Sequence, residues 1–277
     1  MTHGDNVDKL DNIKVMFVDI DGTLTDSNKT VPEENRAAIK KAVEKGIYVV
    51  ICSGRGNQYV ELRSKLANAS DYIISSNGAQ IYNYTTKETL FGNQMNVQAL
   101  EKVIKFAEER ECGYIINCSD IRYSNRYLYR KMDPQDGLID KIAEVVKPIY
   151  QLVVEADSYE LIDEIVKYVK TIDELEILNY TPGYLKGIKT LEHYYLDINT
   201  KGINKGVAIG EFLKLFKIKK EEALCFGDHV NDESMFDACG IGVAMGNAND
   251  RLKARATYVT KTNDENGVAY FINNYIK

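Results

Sequence analysis

No apolar stretch in this sequence approaches the roughly 20 residues that a membrane-spanning helix requires, so no membrane segment is expected. Cysteine is sparse: Cys52, Cys112, Cys118, Cys225 and Cys239 are odd in number and include no CxxC spacing. A disulfide framework and a structural zinc site are therefore not expected. Cys52 and Cys225 lie inside apolar runs and read as small buried hydrophobes. Basic residues are in deficit, 35 Lys plus Arg against 41 Asp plus Glu, for a formal net charge of -6. That balance argues against a nucleic-acid partner, which calls for a basic face. It does not argue against a small anionic substrate, which needs only local positive charge. Internal repeats and low-complexity tracts are also missing. The opening stretch MTHGDNVDKLDN is polar and acidic, unlike a secretion signal, so a reducing cytoplasm is the expected compartment.

What is present is an ordinary globular mixture, 44% apolar and 27% charged over 277 residues, enough to bury a sizeable core. Short continuous apolar runs alternate with amphipathic stretches, the pattern of parallel strands covered on both faces and joined by helices. Strands are predicted at 15–20, 47–52 and from 72. A helix between the first two is predicted to open on a capping box of Thr30 and Glu33 and to end at Gly46. After Tyr82 the character changes. A polar, Thr-rich stretch leads into helix 97–110, strand 114–118, helix 138–146, strand 149–155, helix 159–171 and strand 175–179. A strand at 193–198 precedes a return of the first rhythm from Asn204. The expectation is an α/β fold: a Rossmann-like parallel-sheet core in two pieces, 1–83 and 191–277, interrupted by an inserted α+β cap at 84–190, about the size of a small domain.

The first strand closes on Asp19-Ile20-Asp21-Gly22-Thr23. Carboxylates at the end of a buried strand are costly unless neutralised, and the carboxyl ends of parallel strands are where ligands bind in α/β sheets. A calcium loop of the EF-hand kind needs glycine in sixth place and Glu in twelfth. Counted from Asp19, Gly22 is fourth and Thr30 twelfth, so that reading fails. The chemistry that fits is phosphoryl transfer. Asp19 is ionised at neutral pH without help and can act as nucleophile. A second carboxylate can protonate a leaving alcohol and later activate water. Magnesium can hold a dianionic phosphate beside an anionic nucleophile.

Three further motifs sit at strand or helix ends. Ser53-Gly54-Arg55-Gly56 offers a hydroxyl and backbone N–H groups to phosphate oxygens. Lys205 opens a helix, where a cation could offset transition-state charge. Gly227-Asp228-His229-Val230-Asn231-Asp232 follows another apolar run. One of its carboxylates suits metal coordination and the other suits orientation of the site, while Asn231 could cap the next helix. His229 raises zinc, but the remaining donors are hard oxygens that favour magnesium.

The segments DIDGTLTDS, SGR, SNGAQIY, NKG, GDHVNDESM and GVAMGNA, in that order, resemble the haloacid dehalogenase-like hydrolase superfamily and, within it, the Cof-type phosphatases with a large cap. The resemblance covers both core pieces; in the cap it rests on length and rhythm. It implies that Asp19 is nucleophile and magnesium ligand, and that Asp21 is general acid/base and lends its carbonyl to the metal. It implies that Ser53, Gly54 and Lys205 bind the phosphoryl group, that Asp228 is the third ligand, and that Asp232 supports the metal site. Asn231 would lie by the phosphate, and Asn77 and Gly78 would line the cleft. The implied substrate is a small phosphorylated metabolite such as a sugar phosphate. Arg122, Tyr123, Arg126, Tyr180, Tyr184 and Lys186 are cap candidates for contact with its organic part. A phosphomutase and a non-catalytic ligand sensor remain alternatives, and the oligomeric state is open.

Overall fold

The computed structural model describes residues 10–125, 127, 136–139, 141–178 and 194–277. The first piece alternates as expected: β1 (Val15–Val18), α1 (Glu33–Glu44), β2 (Tyr48–Cys52), α2 (Asn57–Leu66), β3 (Tyr72–Ser75) and β4 (Gln80–Asn83), with β5 (Glu88–Gly92) after it. The insert contributes α3 (Val97–Glu108), β6 (Gly113–Cys118), β7 (Arg122–Ser124), β8 (Gly137–Leu138), β9 (Ile149–Ala156), α4 (Tyr159–Val169), β10 (Leu175–Ile177) and β11 (Tyr194–Thr200). The chain then runs through α5 (Lys205–Phe216), β12 (Ala223–Gly227), α6 (Glu233–Ala238), β13 (Ile241–Ala244), α7 (Asp250–Arg255), β14 (Tyr258–Val259) and α8 (Gly267–Tyr275).

The core sheet has the order β14-β13-β12-β1-β2-β3-β4-β5. All its pairings from β14 to β3 are parallel, and β4 and β5 add on antiparallel. Every residue of β1 and β12 is buried. Neighbouring residues of a strand face opposite ways, so helices must cover both faces of these central strands. Phe17 is fully buried and meets Phe212 of α5 edge-on, with ring centroids 5.5 Å apart. Burial of such a ring contributes roughly 1.5–3 kcal/mol. All five cysteines are free and buried, and among the described residues no helix is long and apolar enough to cross a membrane.

The second sheet has the order β10-β11-β9-β6-β7-β8 and is antiparallel except for β7 with β8. Tyr114, Ile116, Leu152 and Val154 point to one face and form a core with Leu100 and Val103 of α3 and Ile162 and Ile165 of α4. The alternate positions Asn117, Gln151 and Asn199 point the other way, yet they too are buried. The core domain is what covers them. Tyr150 packs with Ala79 and Ile203, and a Cβ placed on Gly56 would sit 2.7 Å from Asn117 Oδ1.

The structure departs from the expected layout in four places. β5 lies inside the span expected for the cap but hydrogen-bonds to the core sheet. Asn83 Oδ1 accepts the N–H groups of Thr85 and Thr86, closing a side-chain-stabilised turn within the polar, Thr-rich stretch. β11 lies inside the span expected for the second core piece but pairs with β9 and β10 of the cap sheet. The helix expected at 138–146 is a short strand and a single helical turn, Ile142–Glu144. Val145 there is extended, and Pro148 disfavours helix in the residue before it. The Thr30–Glu33 capping box does not form, because Thr30 Oγ1 donates to Asp26 at 2.8 Å.

Gly78 lies in the loop between β3 and β4. Its φ is +95°, and a Cβ would meet the Asn204 carbonyl oxygen at 2.2 Å. Gly78→Ala is therefore expected to destabilise the protein by about 2 kcal/mol or more. Thermal unfolding of the variant should show the midpoint falling by several degrees; an unchanged midpoint would contradict this packing.

Candidate active site

The parallel strands β12, β1, β2 and β3 stand side by side, with Val18 opposite Phe226 on one side and Ile51 on the other. This register carries the residues after each strand to one edge. Asp19 follows β1, Ser53 follows β2, Ser76 follows β3 and Asp228 follows β12. The chain leaves β1 in one direction for β2 and returns much later on the other side as β12, which makes this a topological switch point, where clefts form in such sheets.

The loop after β1 is a single wide turn. Leu24 N–H donates to the Asp19 carbonyl and Thr25 N–H to that of Ile20. Gly22 has φ +79°, and a Cβ there would lie 2.4 Å from Asp228 Oδ2, so glycine is needed both for the turn and for the approach of Asp228. Three amide side chains hold the loop's carbonyls. Asn247 donates to Gly22 (2.8 Å), Asn35 to Leu24 (3.0 Å) and Asn263 to Thr25 (2.9 Å). Sequence reasoning misses all three, since an isolated Asn bonded to distant backbone leaves no spacing signal.

A buried cluster of charges lies beneath this loop. Lys205, 1% exposed, projects from the first turn of α5. Its Nζ is 2.5 Å from Asp19 Oδ1 and 2.7 Å from Asp232 Oδ1. Asp232 Oδ2 accepts the N–H groups of Asp228 and His229, both at 3.0 Å, so Asp232 shapes the loop as well as pairing with the lysine. It is Asp232, and not Asn231, that holds this turn. Thr23 Oγ1 donates to Asp228 Oδ1 at 2.9 Å. Oxygen atoms of Asp19, Asp228 and Asp232 lie within 4.8 Å of one another.

The electrostatics of this cluster are unbalanced. Burial above all pushes the Asp19 carboxyl well above its usual range; Lys205 pulls it down, while Asp232 and Asp228 push it up. Burial, followed by the charge of Asp232, lifts Asp228 to about 7 against the help of Thr23 and Lys205. Burial works against the Lys205 ammonium, but Asp19 and Asp232 outweigh it and hold the lysine charged. Three carboxylates against one ammonium leave a surplus of negative charge, which a buried site relieves by taking up a proton or a further cation. The donors are hard oxygens, and His229 is not among the converging groups. The set suits magnesium better than zinc.

Asp21 lies higher and faces two cations, Arg55 Nε at 3.0 Å and Lys29 Nζ at 3.2 Å. Burial raises its pKa, but Arg55 and then Lys29 more than offset that and hold it below the usual value. Arg55 is a further residue, to which sequence reasoning gives no role of its own. Its partner lies 34 positions away, and only the shared sheet edge brings them together. Ser53 is buried, and its Oγ accepts the Arg55 N–H at 3.3 Å. Gly54 lies against Asn77, whose Oδ1 would be 2.7 Å from a Cβ on that glycine. Asn77, Asn204, Lys205, Asn231 and Ser234 line a cavity of about 280 Å³.

The core residues singled out from sequence thus share one edge of the sheet. Gly78 differs in that it packs against the Asn204 backbone. Of the cap candidates, Arg122 is engaged in a two-pronged pair with Asp136 (2.8 and 3.1 Å), and Tyr123 packs on the cap's own core. Arg126, Tyr180, Tyr184 and Lys186 lie outside the described residues.

A model of the haloacid dehalogenase-like hydrolase family matches residues 16–272. The chain is 29% identical to the 5-amino-6-(5-phospho-D-ribitylamino)uracil phosphatase YcsE of Bacillus subtilis, over 95% of this chain and 96% of that one. It is 27% identical to the pyridoxal phosphate phosphatase YbhA of Escherichia coli, over 95% and 98%. A solved structure of a haloacid dehalogenase-like hydrolase from Bacteroides thetaiotaomicron shares its fold, with a TM-score of 0.79 at 24% identity, covering 94% of this chain and 98% of that one.

Proposed function

Because the chain belongs to the haloacid dehalogenase-like hydrolase family, whose matched relatives are phosphatases, we propose that it is a magnesium-dependent phosphatase of small phosphorylated metabolites, sugar phosphates foremost, working through an aspartyl-phosphate on Asp19. The observation that carries this reading is the convergence of Asp19, Asp228 and Asp232 around one buried lysine.

Each residue has a task in this reading. Lys205 grips Asp19 Oδ1 and leaves the other carboxylate oxygen to attack phosphorus. The bond from phosphorus to the leaving oxygen breaks, and Asp21 supplies the proton that oxygen needs. In the second half, water attacks the phosphorus, Asp21 takes the water's proton, and Asp19 is released as carboxylate with inorganic phosphate. The ionised, doubly paired Asp21 is the form suited to accept that proton. To donate one in the first half, it must first let go of Arg55 or Lys29. The Ser53 hydroxyl, the Gly54 N–H and the Asn231 amide are assigned to the phosphate oxygens, and Lys205 to the charge that builds on them.

Asp19, Asp228 and the Asp21 carbonyl would hold magnesium, with Asp232 fixing the Asp228 loop. When bound, the ion neutralises the surplus carboxylate charge and the phosphate. The cap is proposed to close over the site and meet the organic part of the substrate. The two relatives are named for phosphate esters with quite different organic parts, which supports a shared phosphate site under a variable cap.

A panel of phosphorylated metabolites tests this reading against a phosphomutase and a sensor. Release of inorganic phosphate with kcat/KM of about 10⁴ M⁻¹s⁻¹ or more for the preferred substrate is expected. Isomer conversion without phosphate release would mark a mutase, and binding without turnover a sensor.

A further inference from the structure

The loop between β3 and β4 joins two parts of the molecule that the proposed chemistry treats separately. Ser76, Asn77 and Gly78 all have positive φ, at 50°, 53° and 95°, a run that non-glycine residues adopt only when surrounding contacts demand it. On one side the loop braces the phosphate loop. Ser76 N–H donates to the Arg55 carbonyl at 2.9 Å, Asn77 N–H donates to the Ser53 carbonyl at 3.1 Å, and Asn77 Oδ1 rests on Gly54. On the other side it is held by β11 of the cap. Asn77 Nδ2 donates to Asp197 Oδ2 at 3.0 Å, and Asn199 Nδ2 donates to the Ser76 carbonyl at 2.8 Å.

The cap side is itself wired together. Gln151 Nε2 donates to Asn199 Oδ1 at 3.3 Å, and Asn117 Nδ2 donates to Gln151 Oε1 at 2.6 Å. These amides cross β11, β9 and β6 and end where Asn117 Oδ1 lies against Gly56, at the far end of the same phosphate loop. Asn77, Asn117, Gln151 and Asn199 are each 4% exposed or less. A buried network of this kind is stiff and has few alternative arrangements. The cap sheet therefore clamps residues 53–56 from both ends.

We propose that Asp197 and Asn77 are positioning residues which carry the seating of the cap on the core into the shape of the phosphate loop, so that cap docking and phosphate grip are one event. Asp197 belongs to the cap and meets the loop at the amide of Asn77. The inference rests on the reading that Ser53 and Gly54 bind the phosphoryl group. Truncating Asp197 leaves Asn77 Nδ2 buried without its acceptor, beside an Oδ1 that already has no hydrogen-bond partner. Losing a hydrogen bond to a charged acceptor in such a place is expected to cost about tenfold or more.

The test uses the full chain with magnesium, and inorganic phosphate as the probe, because phosphate has no organic part for the cap to touch. Calorimetry on Asp197→Ala should give a dissociation constant for phosphate raised about tenfold. A side chain that only contacts leaving groups, or only supports the cap fold, would not move this constant, and a change of twofold or less overturns the proposal. The polarity swap is a second arm. Asn77→Asp sets two carboxylates face to face and should weaken phosphate binding further. Adding Asp197→Asn restores a donor–acceptor pair in the reverse sense and should return the constant to within about threefold of wild type. A double variant as weak as Asn77→Asp alone overturns the relay. Wild-type protein that binds phosphate but hydrolyses no ester contradicts the phosphatase reading instead, and wild type that binds no phosphate overturns both.

Discussion

Replacing Asp19 with Asn abolishes turnover of every phosphate ester, with a fall in kcat on the order of 10⁴-fold or more, while the protein stays folded. The size of the loss follows from chemistry, since an amide oxygen is no nucleophile at phosphorus at neutral pH and no neighbouring carboxylate is placed to replace it. Asp228 bonds Thr23, and Asp232 is committed to Lys205 and to two backbone N–H groups. Retention of the fold follows from charge. Asp19 is one of three crowded carboxylates, and its ionised form is disfavoured by burial and by Asp232 and Asp228. Removing that charge relieves repulsion, and Lys205 keeps Asp232 as partner at 2.7 Å. Thermal unfolding without divalent cations should therefore give a midpoint at or above that of wild type. Near wild-type turnover in Asp19→Asn would reject the mechanism, and a collapsed fold would show that the electrostatic account of the cluster is wrong.

Chelation of divalent cations brings activity to background, and magnesium restores it. The same charge surplus is the reason. A dianionic ester entering beside Asp19 adds negative charge to a site where Lys205 is the buried cation and Arg55 and Lys29 are engaged with Asp21. In a partly buried site such repulsion amounts to several kcal/mol, and each 1.4 kcal/mol is about tenfold in rate. A readout independent of turnover accompanies it. An ion that binds only the folded state raises the unfolding midpoint in proportion to the logarithm of its concentration, and Asp228→Ala should lose most of that gain. Full activity in excess chelator, or a midpoint indifferent to magnesium in wild type, would contradict the assignment.

The core of this site is legible in sequence because carboxylates at the ends of wholly apolar strands have no cheap structural purpose. Asp19, Asp21 and Asp228 declare themselves in that way, and the order of strands places them on one edge. Lys205 is only weakly legible by itself and gains its role through the resemblance, since a lysine at a helix start usually faces solvent, and nothing local reveals that two buried carboxylates await it. Asn35, Asn247 and Asn263 are not legible at all, and Arg55 is visible in the SGR segment but its role is not. Their partners are an acid or backbone carbonyls in other elements, and such contacts depend on the finished packing. The cap shows the same limit. Its helices follow from apolar periodicity, and the alternation in Tyr194–Thr200 is that of a half-buried antiparallel strand. Which sheet that strand joins is settled by pairing with β9, which sequence position hides. Nothing in the sequence marks the amides of Asn117, Gln151 and Asn199, which the sheet register turns onto the core.

The claim on which the account turns is that phosphorus becomes bonded to an oxygen of Asp19. Mixing the enzyme with radiolabelled substrate in the presence of magnesium, quenching in acid within milliseconds and mapping the label to a peptide tests it directly. The account predicts an acid-stable, hydroxylamine-sensitive label on the peptide bearing Asp19, absent from Asp19→Asn. Label on another residue, or rapid phosphate release from an enzyme that never carries label at any quench time, would contradict it.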